Sequence, residues 1–363
     1  MARRRRPWPA LAAILALGLG ACSDPATGPE PGPSRTFRMG FSGIPPRADL
    51  AQAIAAIDLW SLRADAAILS YELPWAELLA GASAESLVTA DQAPLADYYR
   101  AKGHEITVYL DPANGLDRGG ESDALVAAGR SITEPDIQLV FRRYAVVVDS
   151  LVQPAHLGLA LETNLIRGLA APEIYAAVRA VANAAAADVR ARDAAVKLSV
   201  SVQVEWAWGR LGGDGTFAGI DADLVDFPFL DELGMSSYPY LGGFATPDAL
   251  PLDYYARVLG DHDLPVLITE GGWTSAILPM QASSTQEQQQ YIVRQRALLD
   301  EVAAAAVFQL TFTDLDVAAD HPVWLFARLG LVDVDLGPKA ALGAWDATFA
   351  LPRVSASAPR SPR

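Results

Sequence analysis

The chain has very few of the residues that hold metal ions or form covalent cross-links. Its 363 residues include a single cysteine, which excludes a disulfide scaffold and a cysteine-rich zinc site. Its four histidines, His104, His156, His262 and His321, are too far apart in the sequence to show the spacing of metal ligands. We therefore expect no metal ion and no other cofactor.

Basic residues are also in the minority. Lysine and arginine number 28 against 43 aspartates and glutamates, which gives a formal net charge of −15. Surfaces that bind a phosphate backbone are rich in lysine and arginine, so nucleic acid is excluded as an expected partner. No G-x-G-x-x-G turn follows a predicted strand, which argues against a dinucleotide-binding sheet.

No apolar run near the N-terminus is long enough to cross a bilayer as a mature helix. The run Leu11–Leu19 follows the basic stretch Arg3–Arg6 and leads to Gly20, Ala21 and Cys22. This order is typical of a secretory signal, and its ending resembles a bacterial lipobox, in which the cysteine is diacylated and becomes the N-terminus. An ordinary secretory signal with an incidental cysteine is the alternative.

The signal has consequences for location and charge. Removing residues 1–21 takes away four arginines and no acidic residue, so the mature net charge becomes −19. We expect an exported chain that is attached through Cys22 to the bacterial cell envelope, on its periplasmic or cell-surface face. The lipid anchor is the only membrane contact that this interpretation includes.

Composition divides the chain into four segments. With 51% apolar residues the chain can bury a sizeable core, and its central part contains no further linker. The other segments are rich in proline and small residues or belong to the signal. The predicted segments are a signal peptide at 1–21, a Pro/Gly-rich tether at 22–35, one folded domain at 36–350 and a disordered tail at 351–363.

Short apolar runs alternate with helical patterns throughout the folded domain. Such runs are typical of parallel strands that are buried on both faces. One helix is predicted to begin at Pro172, and a second to follow the capping-box pattern Ser284–Glu287. Eight strands in about 315 residues predict an α/β fold, a single (β/α)8 TIM barrel. The predicted strands are 37–41, 66–69, 106–110, 157–161, 197–204, 234–238, 265–269 and 307–313.

Catalytic side chains of such barrels collect at the C-terminal ends of the strands. Carboxylates and large aromatic residues dominate these positions here, without a principal histidine or lysine. Carboxylates can act as acid, base or nucleophile, and aromatic faces stack on sugar rings, so a carbohydrate is the expected ligand. The strand ends provide Ser42, Glu72, Trp75, Asp111, Asn114, Glu162, Asn164, Glu205, Trp206, Trp208, Tyr238, Tyr240, Glu270, Trp273, Asp314 and Asp316.

Two strand ends carry a more specific pattern. The fourth predicted strand ends in Glu162-Thr-Asn164, and the seventh ends in Glu270-Gly-Gly-Trp273. The sequence thereby resembles the clan A retaining glycoside hydrolases, which have an acid/base carboxyl after strand four and a nucleophile after strand seven. The segment Gly234–Tyr240 and the Glu270–Trp273 turn are nearest in motif to the arabinogalactan endo-β-1,4-galactanase family, and the Glu270–Trp273 turn is also similar to the endo-β-1,3-glucanases.

The resemblance implies a role for each of these residues. Glu162 would be the acid/base, Glu270 the nucleophile, and Tyr238 would hydrogen-bond Glu270. Each also has a structural reading, as a helix cap, an ion-pair partner or a rigid turn, and Asp111 and Asp314 fit loop-capping acids best. The expected substrate-binding residues are Tyr238, Trp273, Asn164, Glu205, Trp206, Trp208, Trp75 and Asp314.

One position departs from the clan pattern. Leu161 stands where these enzymes usually have an asparagine that donates to the 2-hydroxyl of the sugar, and Asn164 lies two residues beyond Glu162. Two functions follow as alternatives. The first is retaining hydrolysis of O-glycosidic bonds in a neutral polysaccharide or oligosaccharide, since the acidic chain would repel polyuronates. The second is a non-catalytic glycan-binding lipoprotein on a degenerate barrel.

Overall fold

The computed structural model describes residues 32–279 and 281–354. The predicted signal peptide, Cys22, most of the tether and the tail beyond residue 354 lie outside the described residues. One compact unit begins at Ser34 and contains all the elements named in the following paragraphs. Within the described ranges, no helix is both long enough and apolar enough to cross a membrane.

The described residues form one sheet of nine parallel strands in the order β5-β4-β3-β2-β1-β9-β8-β7-β6. Only Val200 separates β5 from β6, and these two pair with β4 and β7 respectively, so together they act as one barrel strand. The sheet is thus a nearly closed barrel, and the predicted TIM-barrel fold is confirmed. The strands are β1 (Arg38–Ser42), β2 (Ala66–Glu72), β3 (Glu105–Asp111), β4 (His156–Gly158), β5 (Lys197–Ser199), β6 (Ser201–Gln203), β7 (Leu233–Ser237), β8 (Val266–Gly271) and β9 (Ala306–Gln309).

Helices surround the barrel and connect successive strands. The larger ones have one apolar face that packs on the sheet. Three 3₁₀ helices lie at Ser61–Arg63, Pro247–Ala249 and Pro322–Phe326. The α-helices are α1 (Leu50–Trp60), α2 (Trp75–Leu79), α3 (Ala84–Ala90), α4 (Gln92–Ala101), α5 (Asp123–Ala127), α6 (Pro135–Val152), α7 (Thr163–Leu169), α8 (Pro172–Arg190), α9 (Val204–Ala207), α10 (Asp221–Asp226), α11 (Ala256–Leu259), α12 (Thr285–Glu301) and α13 (Ala340–Phe349).

Both predicted helix starts are confirmed. α8 begins at Pro172, whose fixed φ suits the first helical position. α12 follows Ser284, whose hydroxyl accepts the backbone N–H of Glu287 at 3.2 Å. Each predicted strand overlaps an observed one, although β4 ends at Gly158 rather than at residue 161. The chain leaves regular strand geometry after Gly158, and Glu162 farther along adopts a left-handed conformation.

Apolar side chains fill the inside of the barrel, and glycine makes room for the largest of them. A Cβ atom at Gly158 would lie 2.0 Å from the ring of Tyr109, so this ring packs directly on the backbone of β4. Large and small residues thus alternate across the interior, as barrel packing requires. The interior cluster consists of Ala66, Ile68, Tyr109, Leu161, Leu267, Ala306 and Phe308.

Replacing Gly158 by alanine is expected to lower the free energy of unfolding by about 1–3 kcal/mol, because the new methyl group overlaps the Tyr109 ring. Gly343 provides a matched control with the opposite sign. It is exposed within α13 and has open space around its Cα, so Gly343→Ala should add about 0.5–1 kcal/mol. Urea unfolding measures both variants, and equal effects would contradict the packing described for Tyr109.

Candidate active site

Glu270 reaches the barrel mouth because β8 is irregular. Leu267 packs inside the barrel and Ile268 packs in the outer layer, so strict alternation would direct Glu270 outward. A shift of register between β7 and β8 instead places Ser236 opposite Glu270. As a result, Thr269 and Glu270 both line the same cavity at the mouth.

Glu162 lies between the end of β4 and the start of α7 in a strained conformation. Its φ of 48° and ψ of 46° are in the left-handed region, which costs about 1–3 kcal/mol for a residue other than glycine. Its backbone N–H donates to the Ser201 hydroxyl at 2.9 Å, and its carbonyl accepts from Ile166 at 3.1 Å. These bonds hold the strained residue and direct its side chain toward β7.

The Ser236 hydroxyl lies between the two glutamates. Its Oγ is 2.6 Å from Oε1 of Glu162 and 2.9 Å from Oε1 of Glu270. The two carboxylate oxygens therefore lie no farther apart than the sum of these distances, about 5.5 Å. Carboxyl groups of retaining glycosidases lie about 5–5.5 Å apart and those of inverting enzymes about 6.5–9.5 Å. The upper limit for the two oxygens is compatible with the spacing of the retaining class.

A buried arginine joins Glu162 to a third carboxylate. Arg118 donates from Nε to Oε2 of Glu162 at 2.7 Å, and its Nη1 forms a short ion pair with Asp111 at the end of β3. The guanidinium and both carboxylates are almost entirely shielded from solvent. Taking such charges out of water is costly unless they are paired, so the three groups depend on each other.

The loop after β3 positions this arginine. Asn114 accepts the backbone N–H of Asp117 at 3.0 Å, which tightens the turn before Arg118. Gly115 donates its N–H to the Glu72 carboxylate at 2.8 Å, which fastens the loop to the end of β2. The guanidinium therefore reaches the site from a loop that is fixed at two points.

Burial and neighbouring charges set the protonation of Glu270. Loss of solvent, followed by the charge of Glu162, raises the pKa of the Glu270 carboxyl to about 7, and Arg118 opposes this shift only in part. Burial also raises the pKa of Asp111, which Arg118 counteracts more directly. The cluster therefore holds more negative charge than its single guanidinium can balance.

A cavity of about 460 Å³ opens beside these carboxylates at the mouth of the barrel. Glu270, Arg118, Asp111 and Glu72 supply its polar wall. Leu161 supplies part of the apolar wall, and the neighbouring Glu162 is 8% exposed. A polar ligand of modest size would thus meet Glu270 and Arg118.

Three tryptophans that were expected to bind substrate, Trp75, Trp208 and Trp273, are packed in the interior, where their rings have no open face for a sugar. Trp75 and Trp273 are at most 1% exposed, and Trp208 is 8% exposed. The Trp208 ring stacks on Tyr254 at 5.4 Å. Trp273 donates its Nε1–H to Ser283 at 3.0 Å. Large rings that follow strand ends here fill the layer between loops and helices.

Trp206 and Tyr238 differ from expectation in a smaller way. Trp206 is half-buried and lies over Gly168, away from the cavity that Glu270 lines. The hydrogen bond to Glu270 that was expected from Tyr238 is made by Ser236 instead. Burial, and then the charges of Glu270 and Glu162, raise the pKa of Tyr238 well above its usual value, so its hydroxyl stays protonated.

The polar residues Asn164, Glu205 and Asp314 were expected to contact substrate, and the structure corrects this for all three. Asn164 is fully buried and exchanges two hydrogen bonds with the backbone of Gln203. Glu205 is fully buried and accepts from four groups, the backbone N–H of Tyr238 among them. Asp314 forms a buried ion pair with Lys339 at 2.7 Å. Their hydrogen bonds are used within the fold.

Arg118 and Ser236 were missed by the sequence reasoning. Ser236 lies inside the Gly234–Tyr240 segment that was singled out, but nothing in that motif distinguishes it from Ser237. Arg118 lies in a loop with no motif spacing, and Asp111, which was interpreted as a loop-capping acid, is its partner. Asp111 also accepts the backbone N–H of Ala113, so it is both a loop-capping acid and the ion-pair partner of Arg118.

Comparisons with known proteins show the fold alone. No model of a known protein family matches the chain, and no curated protein matches it. An exo-β-1,4-mannosidase from Opitutaceae bacterium strain TAV5 matches in structure with a TM-score of 0.62 at 16% identity, over 87% of this chain and 59% of that one. The chain therefore spans less than two thirds of that protein.

Two further glycoside hydrolases match in the same way. A family 39 glycoside hydrolase from Bacteroides cellulosilyticus WH2 has a TM-score of 0.59 at 18% identity, over 87% of this chain and 64% of that one. A family 5 glycoside hydrolase from Bifidobacterium longum subsp. longum, solved with Manβ1-4GlcNAc, has a TM-score of 0.61 at 16% identity, over 88% and 80%. The barrel thus resembles those of known glycoside hydrolases.

Proposed function

We propose that the protein is a retaining glycoside hydrolase that acts on a neutral polysaccharide or oligosaccharide. The observation that carries the proposal is the pair Glu162 and Glu270, whose nearest oxygens lie within about 5.5 Å at the barrel mouth. They come from strand ends 108 positions apart in the sequence. The similarity of the barrel to glycoside hydrolases supports the same class.

The geometry supports a two-step reaction. Glu270 lines the cavity and would attack the anomeric carbon, so that a bond forms to its carboxylate as the bond to the leaving oxygen breaks. Glu162 would give its proton to that leaving oxygen. In the second step Glu162 would take a proton from water, which attacks the same carbon and releases Glu270. An oxygen–oxygen separation of at most about 5.5 Å favours this reaction over a single-step inverting one, which needs more room for its water.

The identity of the glycan is a finer proposal that rests on sequence. The segments Gly234–Tyr240 and Glu270–Trp273 favour β-1,4-galactan, because they resemble the galactanase family. The apolar wall at Leu161 favours the alternative, a glycan-binding protein without turnover, because it offers the sugar no hydrogen bond. The same assay separates the two.

The test is a hydrolysis assay of the full chain. Purified protein is incubated with β-1,4-galactan, β-1,3-glucan, arabinan and mannan, and new reducing ends are measured. We expect release from one of them, with the anomeric configuration of the first product retained by proton NMR. Inversion of configuration would overturn the assigned roles of Glu162 and Glu270. Binding by titration calorimetry without any release would favour the glycan-binding alternative.

We also propose that the protein is exported and held at the cell envelope through Cys22. This proposal rests on the signal pattern of residues 3–22, which lie outside the described part of the chain. A neutral polymer outside the cytoplasm is a consistent substrate for such a location. The intact mass of protein extracted from membranes tests it, since a chain that begins at an unmodified residue other than Cys22 would contradict lipidation.

A further inference from the structure

The hydroxyl between the two glutamates has one proton, but two carboxylate oxygens lie within hydrogen-bond distance of it. Ser236 Oγ is 2.6 Å from Glu162 and 2.9 Å from Glu270. The hydroxyl can donate to only one of them. If both carboxyls were ionised, the other contact would bring two lone pairs together. One of the two carboxyls must therefore be protonated and donate to Ser236.

Arg118 indicates which carboxyl is ionised. Its Nε–H donates to Glu162 at 2.7 Å, and within the described residues it makes no hydrogen bond to Glu270. A charge-assisted bond of this kind stabilises a carboxylate strongly. The ionised partner is thus Glu162, which accepts the Ser236 proton, and Glu270 carries its own proton.

We propose that Ser236 is a proton relay between the two glutamates and that Arg118 sets its resting state, with Glu162 ionised and Glu270 protonated. This inference rests on the proposed function, which needs the opposite allocation, a protonated Glu162 and an ionised Glu270. Proton transfer through Ser236 converts the resting allocation into this reactive one. The O–H bond of Glu270 breaks as its proton passes to Ser236 Oγ, and the former Ser236 proton passes to Oε1 of Glu162.

This transfer conserves the proton and the total charge of the site. Ser236 has the same composition before and after, and neither an external acid nor a water molecule is required. The groups around the two glutamates differ in charge. Asp111 and Glu72 add negative charge from β3 and β2, Tyr238 is a neutral phenol on the β7 side, and Arg118 is the cation in contact with Glu162.

Access to the cavity gives the relay a trigger. Arg118 lines the cavity and also contacts Glu162, so a ligand that enters the cavity can reach the guanidinium. A glycan hydroxyl that accepts a hydrogen bond from Arg118 competes with Glu162 for it. Once that bond weakens, Glu162 loses the charge that kept it ionised and takes the proton through Ser236. Substrate binding thus converts the resting pair into the reactive pair.

The protonation states of Glu162 and Glu270 can be measured on the full chain without any substrate. Glutamate is labelled with carbon-13 at the side-chain carboxyl, and Glu162→Gln and Glu270→Gln identify the two signals. Between pH 5 and pH 8 we expect the Glu270 signal to change with a midpoint near 7. A protonated Glu162 beside an ionised Glu270 at pH 6 would overturn the proposal.

Arg118→Gln tests the cause of the allocation, because glutamine retains an N–H donor without the charge. In this variant we expect the Glu162 signal to move toward its protonated position at pH 6. An unchanged pair of signals would show that Arg118 does not set the resting state. If the variant does not fold, the measurement on the unaltered protein still decides the allocation.

Ser236→Ala tests the relay. We expect kcat to fall by at least about tenfold while KM stays within about twofold, and Ser236→Thr to recover most of the loss because it restores a hydroxyl. Ser237→Ala is the matched control, since this neighbouring buried serine donates to Glu205 instead. Unaltered kcat in Ser236→Ala would refute the relay, whereas absence of hydrolysis by the unaltered protein would refute the proposed function alone.

Discussion

Glu270→Gln is expected to lower turnover by at least about 10³-fold, because an amide cannot form the covalent glycosyl intermediate. The same change is expected to make the protein more stable at neutral pH. Burial and the charge of Glu162 raise the pKa of the Glu270 carboxyl to about 7, so ionisation of this group opposes folding. Glutamine has nearly the same size and does not ionise.

The sign of the stability effect follows from linkage. An unfolded glutamate has a pKa of about 4.3, and the folded value is higher, so the favourable contribution of the neutral form is present below about pH 4.3. It declines as the pH rises and is lost above about pH 7. The Gln variant should exceed the unaltered protein by about 2 kcal/mol at pH 8, a value reduced for partial solvent contact, and match it near pH 4.

Urea unfolding at pH 4 and pH 8 measures this difference, and a reducing-end assay measures turnover. Glu301→Gln is the control, because Glu301 is exposed at the end of α12 and should change neither quantity. A Gln variant that is inactive but no more stable at pH 8 would show that Glu270 is not held under electrostatic strain. A Gln variant that is more stable at pH 8 but has unaltered turnover would show that Glu270 takes no part in the reaction.

Arg118→Met is expected to lower the free energy of unfolding by about 3–5 kcal/mol. Arg118 is the partner of both Asp111 and Glu162, and all three side chains are shielded from water. Removing the guanidinium leaves two buried carboxylates without a counter-charge, which is the costly way to break a buried ion pair. Methionine fills part of the vacated space, so the loss is mainly electrostatic.

Two further variants separate charge from packing. Arg47 also joins two carboxylates, Asp316 and Asp335, but on the exposed surface, so Arg47→Met should change stability little. Adding Asp111→Asn to Arg118→Met should recover part of the loss, since one unpaired carboxylate is removed. The unfolding midpoint in urea is the measurement. Equal losses at Arg118 and Arg47, or no recovery in the double variant, would contradict the electrostatic explanation.

The barrel could be predicted because its signals are local. The apolar runs of the strands and the caps at Pro172 and Ser284 each lie within a few residues, and regular parallel pairing follows from their order. The two glutamates could be located for the same reason, since each ends an apolar run. The split at Val200 has no local signal, because it depends on which neighbours β5 and β6 meet.

The surroundings of the glutamates could not be predicted from residue type alone. Trp273 and Glu270 lie three positions apart, yet one ring is packed in the interior and the other side chain lines the cavity. The register shift that places Glu270 opposite Ser236 depends on the pairing of β8 with β7 and not on residue type. The position of the Arg118 side chain depends on a loop whose path is fixed by a contact with the end of β2. No residue spacing in the sequence predicts that contact.

The left-handed conformation of Glu162 bears on how this chain could change over time. Glycine tolerates that backbone region without penalty, so Glu162→Gly would relieve about 1–3 kcal/mol of local strain. That substitution would also remove a partner of the buried Arg118. The cost of the strained backbone is therefore set against the ion pair and the hydrogen bonds that the Glu162 carboxylate makes.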